Sequence, residues 1–91
     1  MSELLNIISA SDKRRNLLIL LTHGPKEWDE IKKTLSVTST GMLPQVKILE
    51  EEGLIERTER KFSLTPMGVV LSAHMEPLVK TMEIFDKNKK F

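Results

Sequence analysis

Side chains that could catalyse a reaction or bind a metal ion are few and widely separated in this sequence of 91 residues. It has two histidines, His23 and His74, and no cysteine, which excludes thiolate ligands and a cysteine nucleophile. Neither histidine has a partner at a spacing typical of metal sites. The four glycines form no phosphate-binding loop, and each falls at a predicted helix end or start: Gly24, Gly41, Gly53 and Gly68. We therefore predict no enzymatic activity, no metal site and no cofactor.

The length of the chain predicts one small domain. Apolar residues make up 40% and charged residues 30% of the sequence, which is ordinary for a globular protein. The net charge of +1 is neither the basic excess typical of nucleic-acid-binding proteins nor the sign of an acidic tail. The longest apolar run, residues 17–21, is far shorter than the roughly 20 residues that span a membrane. No signal peptide is recognisable, so we expect a cytoplasmic protein whose small core needs oligomerisation or a larger partner.

Apolar residues at helical spacing predict two helices in the first part of the chain. A short N-terminal helix around residues 4–8 is followed by a polar break. Ser11 can then cap a second helix, which runs to His23. Gly24 fits the position just after a helix, and Pro25 prevents its continuation.

The next helix is predicted to be amphipathic and about ten residues long, from residue 26 to residue 35. Trp28 begins an apolar stripe that continues with Ile31 and Leu35, while charged residues cover the opposite face. Its place at the start of this stripe predicts that Trp28 is a core residue.

A polar break separates this helix from a further one, which Thr38 or Ser39 can cap and which ends at Gly53. The apolar stripe of this further helix consists of Met42, Val46 and Leu49. Two helices joined by a short polar turn form a helix-turn-helix arrangement. Val37 is expected to be the apolar residue that fills the turn.

Two short strands are predicted after Gly53, at residues 54–58 and 61–65, because Phe62 and Leu64 alternate with polar neighbours. Their connection is expected to be a loop of about four residues. Thr65 and Pro66 then combine a helix cap with proline at the first helical position, which is a strong signal for a helix start.

The last helix, from about residue 66, carries an apolar seam at heptad-like spacing. Pro77 interrupts the seam and should kink the helix near residues 73–74. We predict that the seam forms a homodimer, with docking on a following domain as the alternative; its members are Leu71, Met75, Leu78, Met82 and Phe85. Residues 87–91 are a polar tail and a candidate linker, so the domain is expected to span residues 1–86.

This order of helices and hairpin predicts an α+β winged helix-turn-helix fold. Residues 45–55 (QVKILEEEGLI) resemble the end of a winged-helix recognition helix and the start of its wing. Residues 64–68 (LTPMG) resemble the Leu-Thr-x-x-Gly that follows the wing. Residues 43–47 and 75–78 are similar to segments of archaeal regulators from methanogens that are related to the ArsR type. The resemblance covers nearly the whole chain and implies a DNA-binding domain that precedes a larger regulatory domain in a longer protein.

The resemblance also implies where double-stranded DNA would bind: the helix after Thr38 in the major groove, and the wing on the backbone or minor groove. The helix residues expected to be exposed there are Ser39, Thr40, Leu43, Gln45 and Lys47. Gln45 could pair with adenine, Leu43 could contact a thymine methyl group, and Lys47 could contact a phosphate. The wing donors are expected to be Arg57, Arg60 and Lys61, with Lys13, Arg14 and Arg15 as further candidates for phosphate contacts. The implied function is dimeric, sequence-specific transcriptional regulation.

Two features of this region count against strong DNA binding. Pro44 lies about six residues into the helix, where it should bend the first turn. Residues 36–65 contain five acidic side chains (Glu50, Glu51, Glu52, Glu56 and Glu59) and four basic ones (Lys47, Arg57, Arg60 and Lys61). We therefore predict weak, salt-dependent binding by the isolated domain. Two alternatives remain open. The acidic residues Glu50, Glu51 and Glu52 also suit a winged-helix module that binds protein instead of DNA, and a dimerisation or spacer module is the other alternative. The cations of the wing would then be the charges by which strand edges are commonly protected against aggregation.

Overall fold

The computed structural model describes residues 11–74, which form four helices and three strands. In chain order they are α1 (Asp12–Leu21), β1 (Lys26–Glu27), α2 (Trp28–Leu35), α3 (Ser39–Glu51), β2 (Ile55–Thr58), β3 (Lys61–Leu64) and α4, which is helical over residues 66–74. This is the predicted α+β winged helix. The predicted helix around residues 4–8, the kink at Pro77 and most of the heptad-like seam lie outside the described residues. No helix within residues 11–74 is long and apolar enough to cross a membrane.

Side-chain caps begin α1 and α3 at residues that the sequence predicted. Ser11 Oγ accepts from the backbone N–H of Arg14 at 3.3 Å and starts α1. Thr38 Oγ1 accepts from the N–H of Gly41 at 3.1 Å and starts α3. Both caps satisfy a backbone donor that the first turn of a helix leaves without an intrahelical partner, and both predictions are confirmed.

The turn between α2 and α3 is also formed as predicted. Ser36 ends α2 in the left-handed conformation, with φ at 55°, and its N–H donates to the carbonyl of Lys32. Val37 is partly buried and packs against the core, so it fills the turn. The chain therefore changes direction within three residues, and α3 crosses the domain as the second helix of a helix-turn-helix.

The sheet has three antiparallel strands in the order β1–β3–β2, one more than the sequence predicted. Lys26 and Glu27 pair with Phe62 and Lys61, so the expectation that they belong to the amphipathic helix was wrong. Pairing with β1 satisfies backbone groups on the outer edge of β3 that would otherwise face solvent. As a result α2 begins only at Trp28, which is partly buried and packs against the core.

The β2–β3 hairpin turns in two residues and not in about four. Thr58 pairs with Lys61, which leaves only Glu59 and Arg60 between the strands. Glu59 has a positive φ of 58°, which tight hairpin turns require at their first central position. Residue types at positions 59–60 do not indicate this turn, because glycine or asparagine usually occupies such a position.

One apolar core joins all three helices of the helix-turn-helix region to the sheet. Its buried members are Leu17, Leu18, Leu21, Ile31, Met42, Val46, Leu49, Leu54, Ile55, Phe62 and Leu71. Leu71, which was expected in a dimer seam, is only 9% exposed and packs in the core of its own chain, so that part of the prediction was wrong. It is buried because α4 lies against the start of β2.

The junction between β2 and α4 depends on Thr65 and Gly68. The N–H of Thr65 donates to the carbonyl of Leu54 at 3.1 Å, and its hydroxyl donates to the carbonyl of Gly53 at 2.5 Å. The same hydroxyl accepts from the N–H of Gly68 at 3.1 Å and so caps α4. A Cβ atom at Gly68 would overlap the Leu54 carbonyl oxygen, so only glycine permits this approach.

We predict that Gly68→Ala lowers the free energy of unfolding by about 2 kcal/mol or more, because the added methyl group can only be accommodated if α4 moves away from Leu54. Gly41→Ala is the matched control, since a Cβ there meets only the end of the Lys13 side chain and the Thr38 hydroxyl. Its stability should stay within about 1 kcal/mol of the wild type. Urea unfolding followed by circular dichroism measures both, and equal effects of the two substitutions would contradict the tight junction.

Candidate nucleic-acid interface

Fewer of the candidate DNA-binding side chains of α3 are exposed than the sequence predicted. Thr40, Leu43 and Lys47 are exposed, as expected, and so is Pro44, within a helix that continues without a break from Ser39 to Glu51. Ser39 and Gln45 are half-buried, so the expectation that they are exposed was wrong. Met42, Val46 and Leu49 face the core, and this buried stripe determines which side of α3 faces solvent.

Ser39 is half-buried because it is a hydrogen-bond partner of Trp28. The indole Nε1 donates to Ser39 Oγ at 3.2 Å, which links the start of α2 to the start of α3. Since indole nitrogen can only donate, the serine oxygen must accept in this bond. The hydroxyl hydrogen of Ser39 is still available to a ligand, but the side chain is held against α2.

Gln45 lies on the side of α3 that faces α1. Its Oε1 accepts from Arg14 Nη1 at 2.8 Å and from the Ser11 hydroxyl at 3.4 Å. A guanidinium group has no acceptor, so the amide must turn its oxygen and not its nitrogen toward Arg14. Bidentate recognition of adenine needs the amide oxygen and nitrogen together. The bonds from Arg14 and Ser11 together occupy both lone pairs of this oxygen, so the predicted adenine contact would require one of them to break.

The wing carries three exposed cations: Arg57, Arg60 and Lys61. Arg57 is the most constrained of them. Its guanidinium carbon lies 4.6 Å from the centroid of the Phe62 ring, and its Nη2 lies 3.8 Å from Glu50 Oε1. Stacking on an aromatic ring orients an arginine without neutralising it. Glu50, in contrast, can pair with Arg57 and so compete with a phosphate for its guanidinium group.

A cleft of about 280 Å³ separates the wing from the outer face of α3. Trp28, Leu43 and Phe62 form its apolar wall, and the Trp28 and Phe62 rings are 5.7 Å apart at a tilt of 50°. Arg57 and Arg60 lie at its rim together with Glu59. The cleft joins α3 and the hairpin into one concave surface with apolar and cationic parts.

The basic residues at the start of α1 differ in their surroundings. Arg14 is held by Gln45, and Arg15 forms an ion pair with Asp12 in the same turn. Lys13 is exposed and its ammonium group lies over Gly41, near the first turn of α3. At the other end of α3, Glu50, Glu51 and Glu52 are exposed. The surface around α3 is therefore cationic near its start and on the wing, and acidic at its C-terminus.

Two contacts that shape this surface escaped the sequence analysis, the bond from Trp28 to Ser39 and the bond from Arg14 to Gln45. The latter joins residues 31 positions apart, and no local pattern signals such a pair. Within residues 11–74, His, Asp and Glu side chains form no group of three that could hold a metal ion.

The sequence matches one family model over most of its length. The model of the methanogenesis regulatory protein FilR1, N-terminal domain, matches residues 2–83. A search among curated proteins finds no match. The family match confirms the resemblance to methanogen regulators that the sequence motifs indicated.

Solved structures share the fold at low sequence identity. The transcriptional repressor BigR from Xylella fastidiosa is similar with a TM-score of 0.77 and 21% identity, over 90% of this chain and 85% of that chain. The adhesin competence repressor AdcR from Streptococcus pyogenes gives 0.71 and 17%, over 89% of this chain and 66% of that chain. Quinone-bound YodB from B. subtilis gives 0.71 and 23%, over 97% and 94%. At such identities the similarity establishes the fold alone.

We predict that Gln45→Met lowers the free energy of unfolding by about 1–2 kcal/mol, because it leaves the half-buried guanidinium of Arg14 without the amide oxygen. Lys47→Met, two positions further along the same helix, is the control and should change stability by less than about 0.5 kcal/mol, since Lys47 is exposed. Thermal and urea unfolding measure both variants. An equally small effect at both positions would mean that Gln45 is an ordinary surface residue.

Proposed function

The chain belongs to the family of the methanogenesis regulatory protein FilR1, N-terminal domain, and we propose that it is a sequence-specific transcriptional regulator that binds double-stranded DNA. The observation that carries the proposal is the concave surface formed by the exposed face of α3 and the arginines of the wing. BigR, which has the same fold, is a transcriptional repressor, and AdcR is a repressor as well. A DNA partner also supports the expected cytoplasmic location.

In this proposal α3 enters the major groove and the hairpin lies over the adjacent backbone or minor groove. Thr40, Leu43 and Lys47 contact DNA from α3, and Arg57, Arg60 and Lys61 contact phosphates or the minor groove from the wing. Ser39 and Gln45 have a different role from the one first predicted. Their hydrogen bonds to Trp28 and Arg14 position α3 relative to α2 and α1.

We further propose that the protein acts as a homodimer and that a regulatory domain follows this domain in a longer chain. With Leu71 in the core, the proposed dimer contacts are Met75, Leu78, Met82 and Phe85. Two copies related by a two-fold axis would present their α3 helices to half-sites about 34 Å apart on a palindromic operator. An effector would then bind the regulatory domain.

The first test of DNA binding is titration of mixed-sequence duplexes with the purified domain, followed by fluorescence anisotropy at several salt concentrations. We expect binding at low salt that weakens with a logarithmic slope of about −3 to −4, because four cations face the proposed duplex and each phosphate contact contributes about −0.9. Arg60→Gln should weaken binding and reduce the slope by about one unit, whereas Arg60→Lys, which keeps the charge, should retain the slope. If no duplex binds even at low salt, the alternative of a protein-binding winged helix takes precedence.

We predict that Glu50→Gln strengthens DNA binding more than Glu51→Gln does. Both substitutions remove one negative charge, but only Glu50 lies within 4 Å of Arg57, at 3.8 Å. Release of an exposed ion pair is worth at most about fivefold in affinity. In an Arg57→Gln background the two substitutions should have equal effects. If the two effects are already equal in the wild-type background, the ion pair with Glu50 does not weaken the binding of Arg57 to DNA.

The proposed dimer predicts that Leu78→Glu shifts the protein from dimer to monomer, because a charge in an apolar interface cannot be solvated there. Sedimentation equilibrium of the full 91-residue chain measures the association. Val70→Glu is the control on the exposed surface of α4 and should leave the mass unchanged. An intact dimer with Leu78→Glu would remove this residue from the interface.

A further inference from the structure

The centre of the exposed face of α3 is apolar. Leu43 is 48% exposed, and Pro44, the next residue, is exposed as well. Thr40 precedes Leu43 by three residues and Pro44 by four, and Lys47 follows them by four and three, so all four side chains share one face of the helix. Proline has no hydrogen-bond donor, and leucine has no polar side-chain atom.

The amide and hydroxyl groups that could add specific hydrogen bonds lie at the margins of this face. Ser39 is held by Trp28 at 3.2 Å, and the amide oxygen of Gln45 is held by Arg14 at 2.8 Å. Thr40 and Lys47 are the remaining polar side chains on the face. Lys47 can donate to guanine O6 and N7, but it lies at the end of the face and not at its centre. At the centre of the face, Leu43 and Pro44 can discriminate between bases only through apolar contact.

We propose that α3 recognises thymine through contact of its 5-methyl group with Leu43 and Pro44. This inference rests on the proposed function and specifies the chemistry of the same surface. Among the four bases, thymine alone presents a methyl group in the major groove. Leu43 also forms part of the apolar wall of the cleft with Trp28 and Phe62.

The charges around this apolar surface favour DNA as its occupant. Lys47 lies one turn beyond it on α3. Across the cleft lie Arg57 and Arg60 together with Glu59, so the charged side chains that line the cleft carry a net positive charge. The other exposed apolar side chains of the described residues, Met67, Val69 and Val70 on α4, have no such neighbours in their own helix, because residues 66–74 contain no lysine or arginine. Flanking cations distinguish a surface that meets phosphates from one that packs on another protein.

The test compares thymine with uracil, which differs only by the missing methyl group. A duplex selected with the wild-type protein from a random pool is synthesised with each thymine replaced in turn by deoxyuridine, and affinities are measured by fluorescence anisotropy. We expect about fourfold weaker binding for each contacted methyl group that is lost. Leu43→Ala should discriminate less between the thymine and uracil duplexes than the wild type, with Pro44 left to contact the methyl group, whereas Val70→Ala, which shortens an exposed apolar side chain on α4, should discriminate as the wild type does.

Each outcome bears on the proposal separately from DNA binding itself. Because Leu43 is half-exposed, Leu43→Ala should retain the fold, and circular dichroism checks this; Leu43→Gln is a second variant that keeps the side-chain length but not the apolar surface. Equal binding of thymine and uracil duplexes by the wild type would overturn methyl recognition and leave the proposed function intact. Undiminished discrimination by both Leu43 variants would also overturn it. No binding of any duplex at low salt would overturn both.

Discussion

The packing of one apolar stripe of α3 against the core is the constraint on which the rest of this structure depends. Met42, Val46 and Leu49 are buried among residues of α1 and the sheet, and they leave only the opposite face of α3 exposed. Each buried side chain of this size contributes roughly 1.5–3 kcal/mol, which is large beside the total stability of a small domain. The orientation of α3, and therefore the set of side chains offered to a ligand, follows from this burial.

Hydrogen bonds at the margins of the stripe refine that orientation and change the chemistry of the exposed face. Trp28 donates to Ser39, and Arg14 donates to Gln45, so two polar side chains of α3 bind other elements of the domain. The face that remains is apolar at its centre and has cations on the neighbouring wing. A surface of this kind combines charge attraction to phosphates with a small contact area for methyl groups.

The sequence predicted those parts of the fold that depend on neighbouring residues. Ser11 and Thr38 are caps because their side chains reach a backbone N–H only three residues away, and the strands are recognisable because Phe62 and Leu64 alternate with polar residues. The strand β1 was missed because two residues carry no periodicity, and it exists only through pairing with β3. The two-residue turn was missed because its strain at Glu59 is imposed by the register of the hairpin.

The candidate interface also combines features that local sequence predicts with features that depend on tertiary packing. The sequence by itself determined the winged helix-turn-helix order, the buried stripe of α3 and the cations of the wing, because spacing and residue type are enough to define them. Only the tertiary structure decided that Leu71 belongs to the core, that Gln45 faces Arg14 and that Glu50 approaches Arg57. Such contacts join residues distant in the chain, and their geometry arises when α1, the sheet and α4 pack around α3. Composition and periodicity are local properties and do not contain that information.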